Sequence, residues 1–181
     1  MTRTVIYVAV LGPPLCGKRT FINKGLGNET NFSILKDQKQ VEIYEYKKKF
    51  NYVNGKNYDI EFSVFPYSKS GKYEFNNKTD FFIIIFDIGN EDSFHKSKEI
   101  LDIPNIQDNI ISFNEKKSLM KNVFFIGNKT DLYSPSNYCQ AKKFCEQKKY
   151  HYFETSTKNE KVLDIVVKEM IISFDEEMFS N

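Results

Sequence analysis

Gly12-Pro13-Pro14-Leu15-Cys16-Gly17-Lys18 has the spacing GxxxxGK, lying between an apolar run and a short helical pattern. Such a segment is built to hold an oligophosphate: N–H groups of the loop and the helix start converge on an anion, the helix dipole adds to them, and the lysine supplies charge. Pro13 and Pro14 carry no N–H, so the donors must come from Leu15, Cys16, Gly17, Lys18, Arg19 and Thr20. A strand-to-helix turn with a chance lysine is the bland alternative, and the context on both sides argues against it. Loops of this kind place Ser or Thr directly after the lysine, where the hydroxyl ligates Mg²⁺. Here that position is Arg19, and Thr20 follows. A helix turns by about 100° per residue, so Thr20 should not point where that hydroxyl would. The metal is therefore left open. The helix start is distorted, or Thr20 serves a metal held differently, or the Arg19 guanidinium itself neutralises phosphate charge; a solvated Arg19 is an equal expectation.

Asn128-Lys129-Thr130-Asp131 follows a second apolar run, Val123-Phe124-Phe125-Ile126. A carboxylate such as Asp131 can accept two hydrogen bonds from the N1–H and amino group of guanine, a donor pair adenine lacks. Asn128 can bridge loops, and the methylene stem of Lys129 can cover a flat base. Glu154-Thr155-Ser156-Thr157-Lys158 again follows a strand pattern, and its N–H groups can meet an exocyclic oxygen. His95 and His151 stand apart from any Asp or Ser partner, so no catalytic triad is expected. Cys16 inside the loop reads as a small filler rather than a redox sensor.

These segments need strands and helices to position them. Val5–Leu11 reads as a strand buried on both faces, with a helix from Lys18 to Leu26 stopped by Gly25 and Gly27. Residues 28–40 are polar and without period, which predicts a loop. A strand begins at Val41, and Asn54-Gly55 predicts a hairpin turn into an alternating strand over Tyr58–Phe65. Residues 66–79 predict another loop. Phe81–Phe86 and Val123–Ile126 read as central parallel strands, and Tyr150–Glu154 as the last strand. Asp92 and Ser93 are placed to cap a helix to Leu101, Ile106 and Ile110 mark another after Pro104, and Gln140–Lys148 and Glu160–Phe174 complete the helical set. Strands alternating with helices predict a three-layer α/β fold with a mostly parallel sheet, in a single domain over residues 1–181.

Taken in order, the segments resemble the Ras superfamily of small GTPases along essentially the whole chain. The carriers are the GxxxxGK loop, Asn128-Lys129-Thr130-Asp131 as NKxD, Ser156-Thr157-Lys158 in the SAK position, and the strand-to-helix stretch Phe86–Phe94. The resemblance implies a Ras-like phosphate-loop G domain: a six-stranded sheet with one antiparallel hairpin strand, about five helices, and GTP or GDP at the strand ends. Nucleotide contacts would fall to Gly12, Leu15, Cys16, Gly17, Lys18, Arg19, Thr20, Asn128, Lys129, Asp131, Ser156, Thr157 and Lys158. The hydrolytic parts do not match. The family's DxxG, usually followed by Gln, is replaced by Pro66-Tyr67-Ser68-Lys69-Ser70-Gly71, Pro14 stands where many members have glycine, and Thr30 is an arbitrary choice for the switch threonine. No catalytic residue is assigned.

Composition supports a folded chain: 181 residues, 40% hydrophobic and 15% aromatic, are enough for a real core. The 26 Lys+Arg against 24 Asp+Glu leave +2, no field for a nucleic-acid backbone. Arg3 and Arg19 are the only arginines, which disfavours a nucleotide kinase built on several guanidinium clamps. Three cysteines without metal or disulfide spacing predict a reducing, cytoplasmic setting, and neither a spanning segment nor a lipid-anchor motif is readable. Three functions remain in view. They are a guanine-nucleotide-binding switch or scaffold with weak or absent hydrolysis, a GTPase whose catalytic groups come from a partner, and a nucleotide-free interaction module. Protein partners are expected on residues 28–40 and 66–79.

Overall fold

The computed structural model describes residues 4–27, 31–36, 42–51, 56–68, 73, 75, 79–115, 122–132, 134–156 and 161–179. Within them seven strands form one sheet: β1 (Thr4–Leu11), β2 (Asn31–Lys36), β3 (Glu42–Asn51), β4 (Asn57–Val64), β5 (Phe81–Asp87), β6 (Val123–Asn128) and β7 (His151–Glu154). Their order is β2-β3-β4-β1-β5-β6-β7. β2 and β3 are antiparallel, as are β3 and β4, and every other pair is parallel. Five α-helices accompany them: α1 (Lys18–Leu26), α2 (Glu91–Leu101), α3 (Pro104–Glu115), α4 (Pro135–Lys148) and α5 (Val162–Phe179).

The unbroken apolar runs are explained by two buried faces. Successive residues of a strand point to opposite sides, and here Ile6, Val8, Val10, Phe81, Ile83, Ile85, Phe124 and Ile126 join α1 and α5 in one core. Their neighbours Ala9, Leu11, Phe82, Ile84, Phe86, Val123 and Phe125 join α2, α3 and α4 in the other. Alternation, invisible as polarity, survives as a sorting of residues between layers.

The sheet has seven strands, not six, because part of the expected loop at 28–40 is β2. Asn31 faces Lys47 and Lys36 faces Glu42 along an antiparallel edge. Residues 31–36 are all solvent-exposed, so no one-sided burial imposed a pattern that could announce a strand. Phe32 lies across from Tyr46, with ring centroids 5.1 Å apart, and stacks on Tyr44 at 6.0 Å. Cross-strand aromatic contact of this sort holds an edge whose own propensity is unremarked.

Two local expectations are corrected. Gly25 does not stop α1; a Cβ there would lie 2.4 Å from Leu163 Cβ, so the glycine lets α1 cross close to α5. Gly27 does end the helix, at φ 65°, its N–H donating to Asn23 O. At α2 the cap is Asn90, whose side chain accepts from the Ser93 N–H, while the Ser93 hydroxyl accepts from the Asp87 N–H. The Asn54-Gly55 turn lies outside the described residues. The strands on either side pair antiparallel, from Tyr44 opposite Val64 to Asn51 opposite Asn57.

His151 opens β7 with its ring stacked on Phe124, centroids 4.3 Å apart and 6° from parallel. Burial pushes its pKa below the ordinary 6.5. Protonation therefore favours the unfolded chain: the stability from this packing is complete above about pH 6.5 and is lost as pH falls from there toward the lower folded value. A His151→Phe variant is expected to keep the packing and flatten that part of the stability–pH curve. Urea unfolding across pH 5 to 8 checks it, and an unchanged slope contradicts it.

Candidate functional site

The parallel register brings four loops to one edge of the sheet. Leu11 pairs with Ile84, Ile85 with Ile126, and Gly127 with Glu154, so β1, β5, β6 and β7 all end on the same side. From these ends emerge the loop 12–17, the Asp87–Asn90 turn, Asn128–Leu132 and Thr155–Ser156. Clefts outside the carboxyl ends of parallel strands are where ligands bind in open α/β sheets.

The loop after β1 owes its course to two glycines. Gly12 has φ 152°, and a Cβ there would lie 2.2 Å from Ile85 O of the neighbouring strand. Gly17, the N-cap of α1, has φ 93°, and a Cβ there would lie 2.5 Å from Asn128 Nδ2. Between them Leu15, at φ 59° and 90% exposed, takes a left-handed conformation that a non-glycine residue seldom adopts. Lys18 folds back over the loop: its ammonium donates to Gly12 O at 2.8 Å and Pro13 O at 2.9 Å. Burial pushes the Lys18 pKa down, and the nearby Arg19 charge adds to the effect. A desolvated cation held by carbonyl dipoles is a strong attractor for an anion. Cys16 is fully buried, with its thiol pushed up by the same burial, consistent with the filler reading.

Asn128 joins the second motif to the first. Its Nδ2 donates to Cys16 O at 2.8 Å, while its Oδ1 accepts from the Lys129 N–H at 2.8 Å. Lys129 is at φ 64°, and its ammonium forms a 2.7 Å ion pair with Asp87 Oδ2 at the end of β5. Thr130 N–H donates to Thr155 O, and Thr155 N–H to Gly127 O, which fastens the β7 loop beside the same turn. Asp131 stands exposed in the 3₁₀ turn Thr130–Leu132, and Ser156 is half-buried. Thr157 and Lys158 lie outside the described residues.

Arg19 and Thr20, in the first turn of α1, are both exposed. The Arg19 guanidinium carbon lies 4.4 Å from the centroid of the Tyr44 ring on β3, a cation–π contact. Sequence reasoning passed over Tyr44 and Asp87 as partners: nothing local marks a strand tyrosine as the seat of a distant arginine, and Asp87 looks like the first residue of a turn. A separate cleft of about 580 Å³, lined by Leu101, Ile110, Phe144 and Tyr150 among others, opens where α2 and α4 end. The topology puts it at the opposite end of the sheet.

A two-core α/β sheet with a GxxxxGK loop after β1 and an Asn-Lys-Thr-Asp turn after β6 has the architecture of the phosphate-loop nucleotide-binding class. The family model for the Ras family matches residues 66–175, more than half of the chain, and the chain belongs to that family. It is thus a GTP-binding, small-GTPase-like domain of the Ras superfamily. The matched span begins after the phosphate loop and includes the Asn-Lys-Thr-Asp turn. No curated protein matches the chain. Among the described residues no helix is long and apolar enough to cross a membrane.

Proposed function

We propose that the chain binds GDP and GTP in a single G domain and hydrolyses GTP weakly or not at all, serving protein partners as a switch or scaffold. The observation that carries this reading is the Asn128–Cys16 hydrogen bond of 2.8 Å, which ties the guanine-reading turn directly to the phosphate loop. In the proposed site the N–H groups from Leu15 to Thr20 and the Lys18 ammonium hold the phosphates, Lys129 covers the base and Asp131 selects guanine. Ser156, Thr157 and Lys158 complete the base pocket. Hydrolysis needs a positioned water and charge stabilisation, and residues 62–73 contain no Asp, Glu or Gln to orient one. Phe32, Ile34 and Leu35, large and exposed on β2, offer proteins an apolar contact within 28–40. Residues 66–79 form the second proposed contact segment, and the proposed setting is the cytoplasm, with a partner as the route to a membrane surface.

A nucleotide-free interaction module is the second reading, favoured by Arg19 standing directly after Lys18 in place of a hydroxyl and by residues 62–73 carrying no Asp, Glu or Gln. Thermal unfolding separates the two. After removal of any carried-over nucleotide, GDP and GTP are expected to raise Tm and ATP is not, because only a ligand that binds the folded state stabilises it. No shift with any nucleotide leaves the second reading.

A further inference from the structure

The family's G domains typically carry nucleotide with Mg²⁺. The described residues at this site do not fit that ion. Mg²⁺ takes oxygen ligands in near-octahedral order. The position after Lys18, where the family has a metal-binding hydroxyl, is Arg19. Thr20, the next hydroxyl, is exposed one helical position further round. Residues 62–73, which span the place of the family's metal-linked Asp, contain no carboxylate at all. Asp87, the carboxylate at the end of β5, is already paired with the Lys129 ammonium at 2.7 Å. Among the described residues no three His, Cys, Asp or Glu side chains come together to hold a metal.

In place of ligands the site has a seated cation. Arg19 follows Lys18 in the first turn of α1, and its guanidinium lies 4.4 Å above the centre of the Tyr44 ring. Tyr44 is itself fixed from three sides: it faces Val64 of β4, its hydroxyl donates to Glu42 Oε2 at 2.8 Å, and Phe32 stacks against it. Val64 in turn faces Val10 of β1, two residues before Gly12. The sheet register therefore sets Tyr44, and with it Arg19, at the rim of the phosphate loop. Among the described residues no carboxylate forms an ion pair with Arg19. In a chain with 24 lysines and two arginines, this position has the group that stays charged and offers forked donors to phosphate oxygens.

We propose that this protein binds guanine nucleotide without Mg²⁺, with Arg19, seated on Tyr44, supplying the counter-charge to the phosphates that the metal supplies in its family. The proposal rests on the guanine-nucleotide reading above and adds the site's metal independence. Arg19 is a phosphate-binding residue; Tyr44 is a positioning residue that acts through it.

The test is GDP affinity, measured by calorimetry on nucleotide-stripped protein in Mg²⁺ and again in EDTA. Wild-type affinity is expected to agree between the two conditions within about threefold. Arg19→Ala is expected to lose about tenfold or more in both, the scale of a charge-assisted phosphate contact. Tyr44→Leu, which leaves the guanidinium but removes its seat, is expected to lose less than Arg19→Ala and nothing further when combined with it. Arg19→Ser restores the family's hydroxyl and is expected to make binding weaker in EDTA than in Mg²⁺. Circular dichroism melts of each variant without nucleotide report folding separately. Wild-type binding that falls more than tenfold in EDTA overturns the proposal and leaves the guanine-nucleotide reading standing. Absence of GDP binding in both conditions overturns the two together.

Discussion

Asp131→Ala is expected to weaken GDP binding by about 10²–10⁴-fold while leaving the fold's own stability unchanged. The carboxylate is the group in the proposed site that can accept both guanine donors at once, and each charge-assisted hydrogen bond contributes about 1.5–3 kcal/mol. Asp131 is exposed in its 3₁₀ turn, so removing it opens no cavity and orphans no buried group. Selectivity is the sharper readout. The ratio of GDP to ADP affinity is expected to collapse toward one in the variant, because the phosphate loop holds either nucleotide equally. Competition binding with the two nucleotides measures that ratio. A variant that keeps its preference for guanine would place base recognition elsewhere.

Gly12→Ala is expected to act on the fold itself, lowering stability by about 3 kcal/mol, from crowding of the Ile85 carbonyl and from a positive φ forced on an L side chain. For a domain of this length that corresponds to a Tm lower by about 6–12 °C. The new Cβ would lie 2.2 Å from Ile85 O, a backbone atom of a central strand that cannot rotate away. Gly27→Ala supplies the internal comparison. Gly27 also has positive φ, 65°, but nothing lies within 4 Å of its would-be Cβ. Its cost is expected to be only about 1–2 kcal/mol, from the positive-φ backbone alone. Denaturant melts of the two variants side by side check the ordering, and equal losses would mean that contact with β5 contributes nothing.

The difference between these glycines shows where reading along the chain ends. Both are glycines in loops that flank α1, and spacing marks Gly12 as the first glycine of the GxxxxGK loop without showing what it packs against. The strain at Gly12 comes from Ile85, 73 positions away, and exists only because β1 and β5 are neighbours in the sheet. Gly25 is a similar case, read as a stop and found inside α1 because Leu163 of α5 comes close to it. β2 is the converse: its residues are exposed on both sides, so the strand exists through its pairing with β3 rather than through any period of its own. In each instance the deciding atom belongs to a segment far away in sequence.

What the sequence determined by itself was the class of fold and the spacing of the two motifs. Strand runs such as Val5–Leu11 and Phe81–Phe86 are legible because burial on both faces demands continuous apolar residues, and the GxxxxGK and NKxD spacings of Gly12–Lys18 and Asn128–Asp131 are legible because such motifs are short-range. Tertiary structure alone decided that Asn128 reaches Cys16 across β1 and β6, that Lys129 is held by Asp87, and that Arg19 rests on Tyr44. Those contacts join residues between 25 and 112 positions apart. Local propensity carries no information over such separations; strand order and register do, because they fix which chain ends meet at one edge of the sheet.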